Sequence, residues 1–459
     1  MKVVVHNGQT FVSHIHESLI SDISKTLSYK DKSKEYQLSR MAKNPFARNS
    51  KAFQQLKAQV SSTLVQATDD GISIPTGVLD IVGLEPTEDL RQDTGDRISL
   101  PWVNQDKRSL RPYQQEAIDA ALAKHRGIVN LATGMGKSVV AINIIRQVKR
   151  KTLVIAPSKS IAKQLHDELV FFFGKNKVGF YGDGKKKKAD VTVGIAQTVV
   201  KHTADFQDIG LIVVDEAHRT ASDTFVSILS DLSHVGRIYG LTATAYRSDG
   251  KDLLLNAACG PILVQYDAAW GIANGYLAQP VFIMRKVRTN APDYDDKLMA
   301  YKSHILSAKE ISSRVEHDAR KMMQAGKTTL VLVDTIEHGE QLSKSLGVPF
   351  AKGEDKQSGF YIQQLNDKKI PGLVATEGVA SEGVDTRSVE CLIMSQFTAA
   401  KGAVLQAVGR ALRKQDGKTH AFILDYWPTS SRMLGRHAQR RVEYYREITD
   451  QVKVIEQQL

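Results

Sequence analysis

The sequence predicts an α/β protein, with two tandem parallel-sheet domains behind a small mixed N-terminal accessory domain. Three observations carry that prediction. From Leu110 onward, short apolar runs alternate with amphipathic helical patterns, as parallel strands covered by helices on both faces require. The alternation occurs twice, with a weaker joining stretch at 267–326 between the two passes. Residues 1–100 follow neither pass and split by charge. They hold ten Lys/Arg against four Asp/Glu up to Lys57, then two against eight up to Leu100. The predicted domains are therefore 1–100, 101–275 and 276–459.

In the accessory domain, Lys2-Val-Val-Val-His6 and Gln9-Thr-Phe-Val-Ser13 alternate as strands do, and a helix is expected over 50–64. A strand over 72–77 should end in a Pro-Thr-Gly turn and resume over 78–82. The acidic stretch 85–97 is expected to be a solvated linker. Basic residues at Lys30, Lys32, Lys34, Arg40, Lys43 and Arg48 suit either a phosphate backbone or a solvated face.

Strands are predicted in the first large domain at 127–131, 152–156, 191–196, 211–214 and 238–241, with a helix over 160–172. Those of the second are 329–333, 373–375, 389–394 and 421–424, separated by helices over 337–346, 358–368 and 403–414. A long helix is expected over the tail, 430–459. The run Lys185–Lys188 reads as a solvated loop.

The chain has 459 residues and a formal net charge of +12, which favours a polyanionic partner such as nucleic acid. Cys259 and Cys391 lie far apart, giving neither a disulfide framework nor metal-ligand spacing. No signal-like or membrane-length apolar run occurs, so a cytoplasmic location without membrane contact is expected (host cytoplasm, for a viral chain).

The chemistry centres on Leu131-Ala-Thr-Gly-Met-Gly-Lys-Ser138, between an apolar strand and a helical pattern. Strand, glycine-containing loop and helix together make a phosphate cradle. Thr133, Gly134, Met135 and Gly136 offer backbone N–H groups, Lys137 a positive charge, and Ser138 a hydroxyl for Mg2+. Leu131 stands where the strict phosphate-loop pattern has glycine. The second stretch, Leu211-Ile-Val-Val-Asp-Glu-Ala-His218, delivers adjacent carboxylates at a strand's C-terminal end, where open parallel sheets bind ligands. Asp215 can hold Mg2+ and Glu216 can polarise the attacking water.

Asp215-Glu-Ala-His218, Leu241-Thr-Ala-Thr244 and Gln406-Ala-Val-Gly-Arg-Ala-Leu-Arg413 resemble motifs II, III and VI of the superfamily 2 helicases. Leu110-Arg-Pro-Tyr-Gln-Gln-Glu-Ala117 is similar to that family's adenine-reading segment. Ala156-Pro-Ser158 and Ala196-Gln-Thr198 resemble its strand-contacting motifs, and Ala375-Thr-Glu-Gly-Val-Ala-Ser-Glu-Gly-Val-Asp385 its motif V. Ile272-Ala-Asn-Gly-Tyr-Leu-Ala-Gln-Pro280 resembles its interdomain crossover. The resemblance spans residues 105–428 in the family's order, and implies two RecA-like motor domains using ATP and Mg2+. The small size, basic N-terminal domain and Leu-Thr-Ala-Thr motif further resemble phage branch-migration helicases of the UvsW and T5 type.

The resemblance implies roles residue by residue. Arg111 and Gln114 would meet adenine, while Tyr113 reads as core. Lys137, Asp215, Glu216 and Gln406 would act on the phosphates, with Gly383 and Asp385 completing the nucleotide set. Arg410 and Arg413 lie three apart on one helix side and would serve as arginine fingers. Ser158, Lys159, Gln197, Thr198 and Thr376 would hold nucleic acid at its phosphates. His218 would couple the site to Thr242, Thr244 or Gln406. The implied function is ATP-dependent remodelling of branched or duplex DNA (branch migration, fork regression, unwinding) in recombination, replication or repair. A monomer, with recombination or replication proteins as partners, fits that picture. An RNA helicase and a restriction-complex motor subunit are the alternatives within the motor class. A basic scaffold without activity would require missing catalytic residues, and every expected one is present.

Overall fold

The computed structural model describes residues 1–456 except 105–108, 221–222, 244–251, 354, 356, 382–386 and 416. The fold is α/β, as predicted, and its residues gather into two units. One comprises Met1–Leu131 and Gly136–Gln265; the other comprises Ala132–Met135 and Tyr266–Leu459.

The first unit begins with a five-stranded mixed sheet. Strands β1 (Lys2–Val5) and β2 (Gln9–Ser13) form a hairpin, followed by β3 (Ser28–Lys30) and β4 (Ser61–Thr63), which pair separately. Strands β5 (Gln66–Thr68), β6 (Gly71–Pro75) and β7 (Glu88–Asp89) complete the order β5-β6-β2-β1-β7. Val3, Val5, Val12, Ile72 and Ile74 alternate inward and share a core with Ile23 and Leu27.

An eight-stranded sheet follows. Its strands are β8 (Arg126–Leu131), β9 (Thr152–Ala156), β10 (Val178–Gly182), β11 (Lys185–Lys187), β12 (Val191–Ile195), β13 (Leu211–Val214), β14 (Arg237–Thr242) and β15 (Ile262–Tyr266). Their order is β11-β10-β12-β9-β13-β14-β8-β15. From β10 to β8 every pairing is parallel, so the C-terminal ends of these strands share one edge. β8, β9, β12 and β13 are buried along their whole length, as strands covered on both faces must be.

The second unit holds β16 (Gln279–Val287), β17 (Thr329–Val333), β18 (Phe350–Ala351), β19 (Gly372–Thr376), β20 (Cys391–Ser395), β21 (His420–Pro428) and β22 (Val452–Glu456). The order is β18-β19-β17-β20-β21-β16-β22, parallel throughout. Its core includes Val331, Val333, Val374, Ile393 and Leu424.

Several local expectations are corrected. The helix expected over 50–64 is Lys51–Ala58, because Ser61, Ser62 and Thr63 pair with β3 instead of extending it. Residues 78–82 do not continue the strand: Val78 ends a 3-10 turn, Thr76–Val78, and a short helix, Leu79–Val82, follows and is ended by Gly83 at φ 63. The stretch 85–97 is bound to the unit: β7 pairs with β1, and Thr94 accepts a hydrogen bond from the Gly236 amide. The Lys185–Lys188 run forms edge strand β11, closed onto β10 by a two-residue turn at Asp183 (φ 51) and Gly184 (φ 76). The stretch 267–326 contributes β16, whose long register with β21 makes it an interior strand. The tail helix is Arg432–Arg446 only. After it, the β-branched run Val452-Lys-Val-Ile455 adds β22 to the sheet.

Candidate nucleotide site

Strand β8 runs into the phosphate loop and then into the helix Lys137–Val148. Gly136 caps that helix in a left-handed conformation, φ 82, which a side chain rarely adopts. No side chain caps the helix, so its first N–H groups are left for a ligand. A Cβ added to Gly136 would lie 2.4 Å from Gln114 Nε2, which places the Gln114 amide directly against the loop. Gln114 is itself buried, and its Oε1 accepts from the Arg111 amide at 3.0 Å. Arg111 Nη1 donates to the Tyr113 hydroxyl at 3.1 Å, and Tyr113 is core, as expected.

Strand β13 lies between β9 and β14, and β14 lies beside β8, so the carboxylates and the loop share the sheet's C-terminal edge. The Asp215 amide donates to Ile155 O at 3.0 Å. Asp215 keeps some exposed surface yet is densely surrounded by protein. Burial, reinforced by the Glu216 charge and opposed by Lys137, pushes its carboxyl up to about 7. Glu216 is a non-glycine residue at φ 47, a conformation costing about 1–2 kcal/mol. Its Oε2 lies 3.4 Å from His218 Nδ1, which in turn is 2.9 Å from Thr242 Oγ1. Nδ1 of His218 thus sits within hydrogen-bond distance of Thr242 at the end of β14 and within ion-pair distance of Glu216 just beyond β13. Lys137 Nζ lies 3.4 Å from Leu131 O, beneath the loop.

On the same edge, Ser158 caps the helix Lys159–Phe173. Its Oγ accepts from Ile161 N and contacts Ser160 Oγ at 3.0 Å. Lys159 pairs with Asp183 at 2.7 Å, a partner that sequence spacing does not reveal. Gln197 and Thr198 sit on the short helix Ala196–Val199 directly after β12. In the second unit, Thr376 ends β19, while Gln406 and Arg410 lie on the helix Lys401–Ala411. Gln406 and Arg410 line a small apolar cavity with Glu377, which sequence reasoning had not singled out. Arg413 follows that helix and bridges to Leu277. Thr244, Gly383 and Asp385 lie outside the described residues.

The family model described as "Type III restriction enzyme, res subunit" matches residues 107–247, which contain this site. A putative DNA 3'-5' helicase Rad25 of Halobacterium salinarum is 29% identical over 317 residues, covering 66% of this chain and 52% of its own length. The ATP-dependent DNA helicase uvsW of Enterobacteria phage T4 is 26% identical over 372 residues, covering 74% and 73%. A fragment of a putative HsdR subunit of a type I restriction enzyme from Vibrio vulnificus shares the fold. It has a TM-score of 0.57, 21% identity, and coverage of 75% of this chain and 68% of that one. The chain resembles the superfamily 2 DNA helicases. It spans about half the length of the first curated relatives it matches.

The residues present suit the magnesium nucleotide that superfamily 2 motors use. Ser138 and Asp215 offer hard oxygen donors, Lys137 a cation, and the uncapped helix a set of N–H donors. Among the described residues no group of three His, Cys, Asp or Glu could hold a metal by itself. Such a donor set matches Mg2+, which binds through one or two carboxylates plus substrate phosphates. Among the described residues, no helix is long and apolar enough to cross a membrane.

Proposed function

We propose that this chain is an ATP-driven DNA translocase that remodels branched DNA. One observation carries the reading. The phosphate loop, Asp215, Glu216 and the His218–Thr242 link converge on one sheet edge in a chain whose relatives are named DNA helicases.

In this reading, Lys137 and the N–H groups at the head of the helix Lys137–Val148 hold the triphosphate. Ser138 and Asp215 hold Mg2+, which supplies charge neutralisation on the phosphates. Glu216 orients and polarises the attacking water, and Arg410 and Arg413 stabilise charge in the transition state. His218 transmits the state of the Glu216 carboxylate to Thr242. Gln114 fixes the position of the phosphate loop while reading adenine. Ser158, Lys159, Gln197, Thr198 and Thr376 grip phosphates, contacts that carry no base information and so suit travel along any sequence.

The test is ATP hydrolysis at fixed salt with no nucleic acid, single-stranded DNA, linear duplex, a four-way junction and RNA. Strongest stimulation by the junction is expected, and none of it in Lys137→Ala. Stimulation by RNA alone would replace the DNA reading, and normal turnover in Lys137→Ala would remove the phosphate-loop assignment.

A further inference from the structure

Between β3 and β4 the accessory domain carries a helical excursion, Lys32–Ala42, Pro45–Arg48 and Lys51–Ala58. Among its described residues, Phe53 is the buried one. Phe46 is the opposite case, 93% exposed on the short turn joining the two longer helices, and Tyr36 is 65% exposed on the first of them. A single exposed aromatic is ordinary on a protein surface. Two further observations set this one apart.

The first is charge. Residues 30–57 hold eight Lys/Arg and two Asp/Glu. Asp31 is buried and accepts from the Lys34 amide at 3.2 Å, which leaves Glu35 as the exposed acid. Among the described residues, Lys34, Arg40, Lys43, Arg48, Lys51 and Lys57 have no carboxylate partner, so the excess positive charge of this excursion is not neutralised locally. The second is shape. Asn44 caps the turn, its Oδ1 accepting from the Phe46 amide at 3.0 Å, so the ring is presented from a fixed backbone between Lys43 and Arg48.

Cations flanking a bare aromatic ring match one ligand chemistry, phosphates bracketing a base with a free π-face. Paired bases inside a duplex have both faces covered; unpaired bases at a branch or in a single strand do not. Resting on the DNA-motor reading above, we propose that Phe46 is a stacking contact for an unpaired base at a DNA branch, with Lys43 and Arg48 on the flanking phosphates.

The experiment measures binding without ATP to a fork with single-stranded arms, single-stranded DNA and blunt linear duplex. Phe46→Ala should weaken fork and single-strand binding about 5- to 100-fold, the range for losing one base–aromatic stack, and leave duplex binding unchanged. Phe46→Trp should retain affinity, and its added emission over the wild-type background should be quenched by single-stranded DNA. Lys43→Glu with Arg48→Glu should weaken all three and flatten the salt dependence by roughly two counterions. Unchanged binding of Phe46→Ala to every DNA, or unquenched Phe46→Trp emission on bound single strands, would overturn the proposal. Absence of DNA-stimulated hydrolysis in the wild type would sink the motor reading alone, since the quenching would still support the stacking contact. Phe46 is too exposed for its loss to unfold the domain.

Discussion

Asp215 offers a measurable consequence of putting two adjacent carboxylates at a crowded strand end. Its carboxyl is pushed from 3.8 to about 7 by burial first and by Glu216 second. The folded state therefore binds a proton more tightly than the unfolded chain. For a raised carboxylate, the stabilising contribution is fully present below pH 3.8. It declines as pH rises and is gone once pH has passed through about 7. Between pH 5 and pH 8.5 the shift removes at most about 2–3 kcal/mol, at 1.36 kcal/mol per unit. Asp215→Asn carries no charge and escapes this loss. Its stability relative to wild type, from denaturant unfolding of the nucleotide-free protein, should rise by that amount from pH 5 to pH 8.5. Groups that do not interact with Asp215 cancel in the difference, and Glu216, which does, is removed from it by making the same comparison in a Glu216→Gln background. Magnesium nucleotide should invert the comparison by favouring the ionised carboxylate, so wild-type binding should weaken below pH 7. A gap between the two proteins that stays constant from pH 5 to pH 8.5 would show that Asp215 ionises as an ordinary surface carboxylate.

Three further outcomes follow from single positions. Because Glu216 sits at φ 47, Glu216→Gly should be about 1 kcal/mol more stable than Glu216→Ala, while both lose hydrolysis; equal denaturation midpoints would refute the strain. Gly136→Ala combines a left-handed φ of 82 with a 2.4 Å approach to Gln114 Nε2. It should cost about 1–2 kcal/mol of stability and at least tenfold in nucleotide affinity, and calorimetric titration giving wild-type affinity would contradict the packing. Arg441 is fully buried and clamps Asp425 through contacts of 2.7 and 2.9 Å. Arg441→Leu should destabilise the second unit by about 3–5 kcal/mol, and adding Asp425→Leu should recover part of that. Failure of the double variant to improve on the single one would mean that the cost is packing rather than a stranded charge.

The parts of the fold that could be read from sequence are those where burial on both faces forces an apolar run. The predicted strands 152–156, 211–214 and 329–333 agree with β9, β13 and β17 to the residue. Edge and half-exposed strands could not be read that way. β11 is three exposed lysines held by a turn and a register, and composition alone makes such a run look like a loop. β22 is exposed along most of its length, so its pattern merges with the helix before it. β16 alternates cleanly, but Pro280 near its start obscured a strand that lies inside the sheet. At the site, motif resemblance gave the residue types and named Thr242 among three partners for His218, the one the structure places 2.9 Å away. That Gln114 touches Gly136 depends on how the helix Pro112–Ala123 packs on the phosphate loop, which sequence spacing does not encode.

The stretch expected as a solvated linker bears on how the accessory domain acts. Thr94 accepts from the Gly236 amide and donates to His234 O, while Asp93 binds Arg237 and Asp96 binds Lys151. Gly236 and Gly210 are where the strap passes closest: a Cβ there would lie 2.2 Å from Gln92 O and 1.9 Å from Thr94 O. Lys151, Gly210 and Gly236 immediately precede β9, β13 and β14. The strap therefore runs along the N-terminal edge of the parallel sheet, opposite the edge that holds Lys137, Asp215 and Glu216. At the same end Asn7, in the β1–β2 turn, donates to His234 O, and its own carbonyl accepts from Arg126. The accessory domain is thus fastened to the first unit without occupying the nucleotide edge. A tether of 13 loose residues would let that domain search independently of the motor. The strap is instead hydrogen-bonded at the starts of β9 and β14, the strands beside those that carry the phosphate loop and the carboxylates, and packed against Gly210 before β13. Any grip on DNA by the accessory domain would then be delivered directly to the sheet that carries the proposed nucleotide site.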